Sequence, residues 1–134
     1  MDIISQEIRE FVSGKVGWVA TVGPQGVPNL APKGTVEVLD GETIVFADFF
    51  SLKTRSNLEK NPKVAVAVIE ASPPSGFQFK GQAELVSSGD LYDAVAAKIK
   101  AAVPQLPFPK CVVKIKVTEI YSLSPGPQAG QKIA

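Results

Sequence analysis

The stretch ETIVFADFFSLKTRSNLEKNPKVAVAVIE, residues 42–70, decides the fold. It opens with a strand over Glu42 to Asp48, loops at Phe49 and Phe50, and begins a helix of about two turns near Ser51. Asn61-Pro62 stops that helix, because a proline disfavours helical backbone at the residue before it. A wholly apolar strand follows. At the strand-to-helix junction, unpaired backbone N–H groups and the positive end of the helix dipole face the same space. Ser51, Lys53, Thr54 and Arg55 add two hydroxyls and two cations there within five residues, the donor set a phosphate monoester takes. The same residues would also make a capped surface helix with solvated Lys and Arg, since serine is a common N-cap.

Upstream, Asp2 to Ser13 places Ile4, Ile8, Phe11 and Val12 on one helical face, with Gly14 just past the end, as for a helix lying on a barrel end. Val16 to Val22 reads as a strand and Gly23-Pro24-Gln25-Gly26 as its turn. The second arm, Val27 to Leu39, is irregular where Pro28 and Pro32 interrupt it and regular from Thr35. Asp40-Gly41 is a two-residue hairpin turn leading back to Glu42.

Downstream, Lys63 to Glu70 is apolar on both faces and needs cover on each, by a core on one side and a further layer or subunit on the other. Ser72 to Gly76 is a loop, and Phe77 to Leu85 alternates again, with Gly81 marking a bend or close backbone approach. A helix runs from Asp90 towards Pro104, and the prolines up to Pro109 form a stiff connector. The last strand, Val112 to Leu123, changes phase at Glu119-Ile120 as a bulge would. Ser124 to Ala134 reads as a tail, frayed or draped over a partner. The expected fold is α+β, mainly β: a six-stranded antiparallel split β-barrel with short flanking helices, in one domain spanning 1–134.

Composition narrows the chemistry. A formal charge of +1 supplies no broad field for nucleic acid or an anionic membrane. The longest apolar run, Val64 to Ile69, is too short to span a bilayer, and Asp2, Glu7 and Glu10 stand where a signal peptide would be basic then apolar, so the expected location is cytoplasmic. With no histidine and one cysteine, imidazole triads, His-ligated haem, disulfides and a cysteine metal cluster are excluded, and no metal is expected. Cys111 reads as a buried small hydrophobe. Any reaction therefore calls for a bound cofactor.

Other candidates have plainer explanations. Gly23 to Gly26 does not open a helix, so it is a turn rather than a dinucleotide fingerprint. Phe49, Phe50, Phe77 and Phe79 could stack bases, but without a basic stripe they read as core packing. Asp48 could be a base or acceptor beside the anion site, or a local cap. Lys33, in the irregular Pro32-Lys33-Gly34, could aim its ammonium into a cleft near that site, or lie solvated on the surface.

Four segments together carry a family resemblance: Val27 to Gly34 (VPNLAPKG), Val38 to Asp48 (VLDGETIVFAD), Lys53 to Val66 (KTRSNLEKNPKVAV) and Phe79 to Ala83 (FKGQA). The chain resembles the pyridoxamine 5'-phosphate oxidase-like FMN-binding split barrels, and within them the small FMN-binding proteins, over roughly Gly17 to Leu123. The resemblance implies one FMN per subunit, its phosphate held by Lys53, Thr54 and Arg55 with Ser51 beside them. Ala47 and Asp48 would run along the ring with Pro32 and Lys33, and Phe108 would approach it from a partner's loop. It implies a homodimer packed barrel to barrel, with the apolar outer face of Lys63 to Glu70 in the interface. The expected function is a flavin-dependent oxidoreductase or electron-transfer protein, with donor and acceptor unassigned. The alternatives are a cofactor-binding carrier without turnover and a deazaflavin-binding reductase; a nucleic-acid-binding barrel is disfavoured by charge, and vitamin B6 oxidation by the short chain and missing histidine. Replacing Lys53 and Arg55 by alanine is expected to weaken FMN binding and leave the fold intact.

Overall fold

Three hairpins supply six of the seven strands in the computed structural model, which describes residues 2–134. The elements are α1 (Gln6–Val12), β1 (Gly17–Val22), β2 (Pro28–Lys33), β3 (Glu37–Asp40), β4 (Thr43–Asp48), α2 (Lys53–Lys60), β5 (Lys63–Ala71), β6 (Pro74–Val86), α3 (Asp90–Ala102) and β7 (Cys111–Ser122). All neighbours pair antiparallel in one open sheet of order β2-β1-β5-β6-β7-β4-β3.

Seven strands replace the expected six because the arm from Val27 to Leu39 is two strands at opposite edges of the sheet. Only Gly34, Thr35 and Val36 join them. Those four Cα steps reach at most about 15 Å, whereas the edges of a flat seven-stranded sheet would lie about 29 Å apart. The sheet must therefore curl until its edges approach. Gly17 records the approach: a Cβ there would stand 2.5 Å from Val36 Cγ2 and 3.2 Å from Val66 Cγ1.

The curl encloses the core. Phe46, Phe79, Ile44, Ile115 and Ile120 are fully buried in it, with Val19, Val66 and Val68 from the other side of the sheet. Ile4, Ile8 and Val12 of the N-terminal segment join the same cluster. Helix α1 begins later than expected, at Gln6, because the N–H groups of Ile3 and Ile4 both donate to the Gly41 carbonyl at 2.8 Å and hold that segment against the β3–β4 turn. Ser5 caps the helix, its hydroxyl accepting from the Ile8 N–H.

Two other differences have local causes. The β6–β7 register passes from Lys80–Glu119 to Gly81–Val117, so the extra residue is Thr118, one position before the expected phase change. Gly81 makes the close approach its sequence suggests: a Cβ would lie 2.1 Å from the Lys116 carbonyl oxygen. Part of the tail is held against its own chain. Pairing of β7 with β4 ends at Lys116, and the chain end takes up the vacated edge: Ser122 N–H donates to Gln131, Gly130 N–H to Ser122 and Ile133 N–H to Ile120.

Strand β5 buries Val64, Val66 and Val68 inward. Its outer side, Ala65, Ala67 and Ile69, lies beside Trp18, Ala20 and Leu30 of β1 and β2, leaving Trp18 39%, Leu30 65% and Ile69 52% exposed. No helix among the described residues is long and apolar enough to cross a membrane.

Candidate functional site

The sequence around residue 50 builds its site on a buried carboxylate. Asp48 ends β4 with 1% of its side chain exposed. Its Oδ1 accepts from the Ser51 backbone N–H at 3.1 Å and from the Ser51 hydroxyl, and its Oδ2 accepts from Arg55 Nη1 at 2.9 Å. Lys33 Nζ stands 3.8 Å from Oδ1 with its side chain only 12% exposed. A buried carboxylate persists when charge and hydrogen bonds satisfy it together, and these three hydrogen bonds with the nearby Lys33 ammonium do so.

Local sequence explains the arrangement. Asp48 reaches three residues forward to Ser51, the short-range bond that aspartate makes in place of regular backbone pairing. Ser51 spends its proton on Asp48, so it anchors the loop rather than capping the helix; the N-cap position is Leu52, which has no capping side chain. The first-turn N–H groups of α2 are therefore left to another acceptor. Lys53 is exposed at that end, and Arg55 keeps further guanidinium donors beyond the one on Asp48.

Helix α2 is held from beneath. Thr54 and Asn57, one turn apart, are both buried. Asn57 Nδ2 donates to Thr21 Oγ1 at 3.0 Å, and Asn29 Nδ2 approaches Thr54 Oγ1 at 3.5 Å. Thr21 and Asn29 are opposite one another in the β1–β2 register, so one cross-strand pair supports both helix positions. Ala47 is fixed by Thr35, whose hydroxyl accepts from the Ala47 N–H at 2.9 Å.

Lys33, Asp48, Ser51 and Arg55 thus come together as one cluster, with Thr54 and Lys53 on the adjoining helix turn. Pro32 lies on the opposite side of β2 from Lys33, at the exposed face opposite Trp18. Phe108 is 66% exposed under Lys100 Nζ, in the connector whose last residue, Lys110, donates its N–H to the Asp48 carbonyl at 2.8 Å. Asn29, Thr35 and the Thr21–Asn57 pair also support the site and were not among the residues expected from sequence. Alternation in β2 was the available signal for Asn29, since it shares a face with Lys33. Cys111 lies opposite Asp48 in the β4–β7 register; burial pushes its thiol up, and the Asp48 charge adds to that. Phe79 is buried and Phe77 packs edge-on against Phe11 at 5.2 Å, so neither offers a stacking platform.

The chain is a curled antiparallel sheet with a cationic strand-to-helix junction, and comparison with known proteins gives its family. The pyridoxamine 5'-phosphate oxidase family model matches residues 4–124, and the chain belongs to that family. It is 37% identical to an uncharacterized protein of Methanocaldococcus jannaschii over 98% of this chain and 88% of the other. Among solved structures, HupZ of Group A Streptococcus is 32% identical with a TM-score of 0.83, covering 96% of this chain and 100% of that one. An FMN-binding protein from Syntrophomonas wolfei shares the fold at 18% identity and TM-score 0.77, over 92% and 86% of the two chains. The same fold is found in an F420 reductase at TM-score 0.66 and in the heme storage protein HutZ of Vibrio cholerae at 0.69.

Proposed function

We propose that this chain is an FMN-binding split-barrel flavoprotein that works as a homodimer. The observation that carries the reading is the set of donors at the start of α2: Lys53 exposed, Arg55 held by Asp48, and first-turn N–H groups with no capping side chain. That set suits the phosphate of FMN in charge and in donor type. Lys53 contributes a point charge and Arg55 a planar fork, while Thr54 sets the helix turn between them. Lys33 and the backbone at Ala47 would border the ring, with Pro32 on the neighbouring strand. Bound flavin would supply the electron- or hydride-accepting chemistry, and the protein its anchoring and orientation.

The dimer reading rests on the face formed by Trp18, Leu30 and Ile69, too apolar and contiguous to be ordinary surface. A second copy packed there would cover β5 on its outer side, and Phe108 of the partner subunit would reach the ring.

The test is a titration of purified protein with FMN, followed by flavin fluorescence and visible absorbance, with mass spectrometry of any ligand released on heating. Saturable binding of FMN supports the reading; indifference to FMN overturns it. Reduction of the bound flavin on mixing with NADH or NADPH would mark an oxidoreductase, and inertness to both a carrier reduced by another protein. Preference for a deazaflavin over FMN would place the chain with reductases of that cofactor.

A further inference from the structure

We infer that Asp48 is the positioning residue of this site: its carboxylate pins the 48–51 loop through Ser51, sets Arg55 in place for the phosphate, and does not itself contact the ligand. The inference rests on the FMN reading above. Several observations carry it. With 1% of the side chain exposed, Asp48 offers a ligand almost no surface. Both carboxylate oxygens are already engaged, Oδ1 by the N–H and hydroxyl of Ser51 and Oδ2 by Arg55. Its backbone carbonyl accepts from Lys110, so the loop and the connector before β7 are tied to the same residue.

Charge makes the role testable. Lys33 and Arg55 both stand against the one carboxylate of Asp48, so removing its charge leaves the site more positive toward a phosphate. If charge alone governed binding, neutralising Asp48 would raise the local charge and tighten FMN. If position governs, the same change weakens it, because an asparagine amide cannot replace the carboxylate. Whichever way that amide is turned, its NH2 group faces either the donors of Ser51 or that of Arg55. The guanidinium and the 48–51 loop then lose their fixed placement, and a misplaced donor contributes little to a directional bond.

Riboflavin separates this role from a general loosening of the site, since it carries the same ring without the phosphate. The experiment titrates wild type, Asp48→Asn and Ser51→Ala with FMN and with riboflavin at one ionic strength, following flavin fluorescence. Asp48→Asn is expected to weaken FMN about tenfold and to leave riboflavin affinity unchanged. Ser51→Ala keeps the carboxylate and deletes one of its donors; it is expected to weaken FMN about threefold, again sparing riboflavin, and serves as the deciding variant should Asp48→Asn fail to fold. Unchanged or tighter FMN binding in the deciding variant overturns the inference, as does a proportionate loss of both flavins. A wild type that binds neither flavin overturns the FMN reading and this inference with it.

Discussion

Asn57 and Thr21, 36 positions apart, share a buried 3.0 Å hydrogen bond that ties α2 to β1. The bond joins the middle of the helix whose first turn carries the cations to a strand that contributes to the core. Thr21→Val keeps the shape of the threonine but removes the hydroxyl that accepts from the Asn57 amide. A buried amide left unpaired costs about 1–3 kcal/mol. Urea denaturation of Thr21→Val should show a loss in that range, and adding Asn57→Leu should cost less than the two single losses combined, since the orphaned amide disappears.

Lys53 and Arg55 should separate when replaced one at a time. Lys53 is exposed, whereas Arg55 is 23% exposed and paired with a carboxylate at 1%. Lys53→Ala should therefore lower FMN affinity without moving the melting temperature. Arg55→Ala should lower both, because it removes the closest cation from a buried charge; the stability loss should be about 1–3 kcal/mol with Lys33 still nearby. The structure thus alters the expectation that both residues are dispensable to the fold. Thermal melts alongside FMN titrations check it.

Local chemistry made much of this fold legible. Gly23 to Gly26 and Asp40-Gly41 mark two of the three hairpins, and Asn61-Pro62 ends α2 where expected. What escaped was non-local. The link Gly34 to Val36 looks like a continuation of one arm, yet it carries the chain to the opposite edge of the sheet, a consequence of curl that three residues do not encode. The end segment is polar and rich in glycine and proline, and its docking follows only from the edge of β7 left free beyond Lys116. At the site the cations and Asp48 were readable as types. Their grouping depends on where β2, β4 and α2 meet, and the supports from Thr35, Asn29 and Thr21 depend on strand register.

Gly81 is a position where a single methyl group should be felt. The nearest atom to a new Cβ is the Lys116 carbonyl oxygen at 2.1 Å, a backbone atom inside the bulged β6–β7 ladder that cannot rotate away. Gly81→Ala should destabilise by roughly 3 kcal/mol or more, whereas Gly34→Ala, with open space around it, should be close to neutral on steric grounds. Denaturation midpoints of the two variants give the comparison.

Cys111 supplies an alkaline limb to stability. Burial and the Asp48 charge hold its thiol above the ordinary 9.0 in the folded chain, so from that pH upward the unfolded chain loses the proton more readily than the folded one. Stability should fall as pH rises from the ordinary value through the raised one. Cys111→Ala should flatten this limb, and iodoacetamide should label native protein far more slowly than urea-unfolded protein at the same pH, as read by mass spectrometry.

The outer face of β2, β1 and β5 yields the prediction for assembly. Trp18 stands between Pro32 on one neighbouring strand and Ala67 on the other, at the centre of the exposed apolar surface, while Val19 beside it points into the core. A charge at Trp18 therefore tests the surface without opening the core. If two copies pack there, Trp18→Glu places a carboxylate opposite apolar surface in each, and burying it unpaired costs several kcal/mol, enough to lower dimer affinity by orders of magnitude. Wild type should sediment as a dimer at micromolar concentration and Trp18→Glu as a monomer with an unchanged far-ultraviolet circular dichroism spectrum. Leu39→Glu, on edge strand β3, should leave the assembly intact. A wild type that sediments as a monomer, or a Trp18→Glu variant that stays dimeric, would remove this face from the interface.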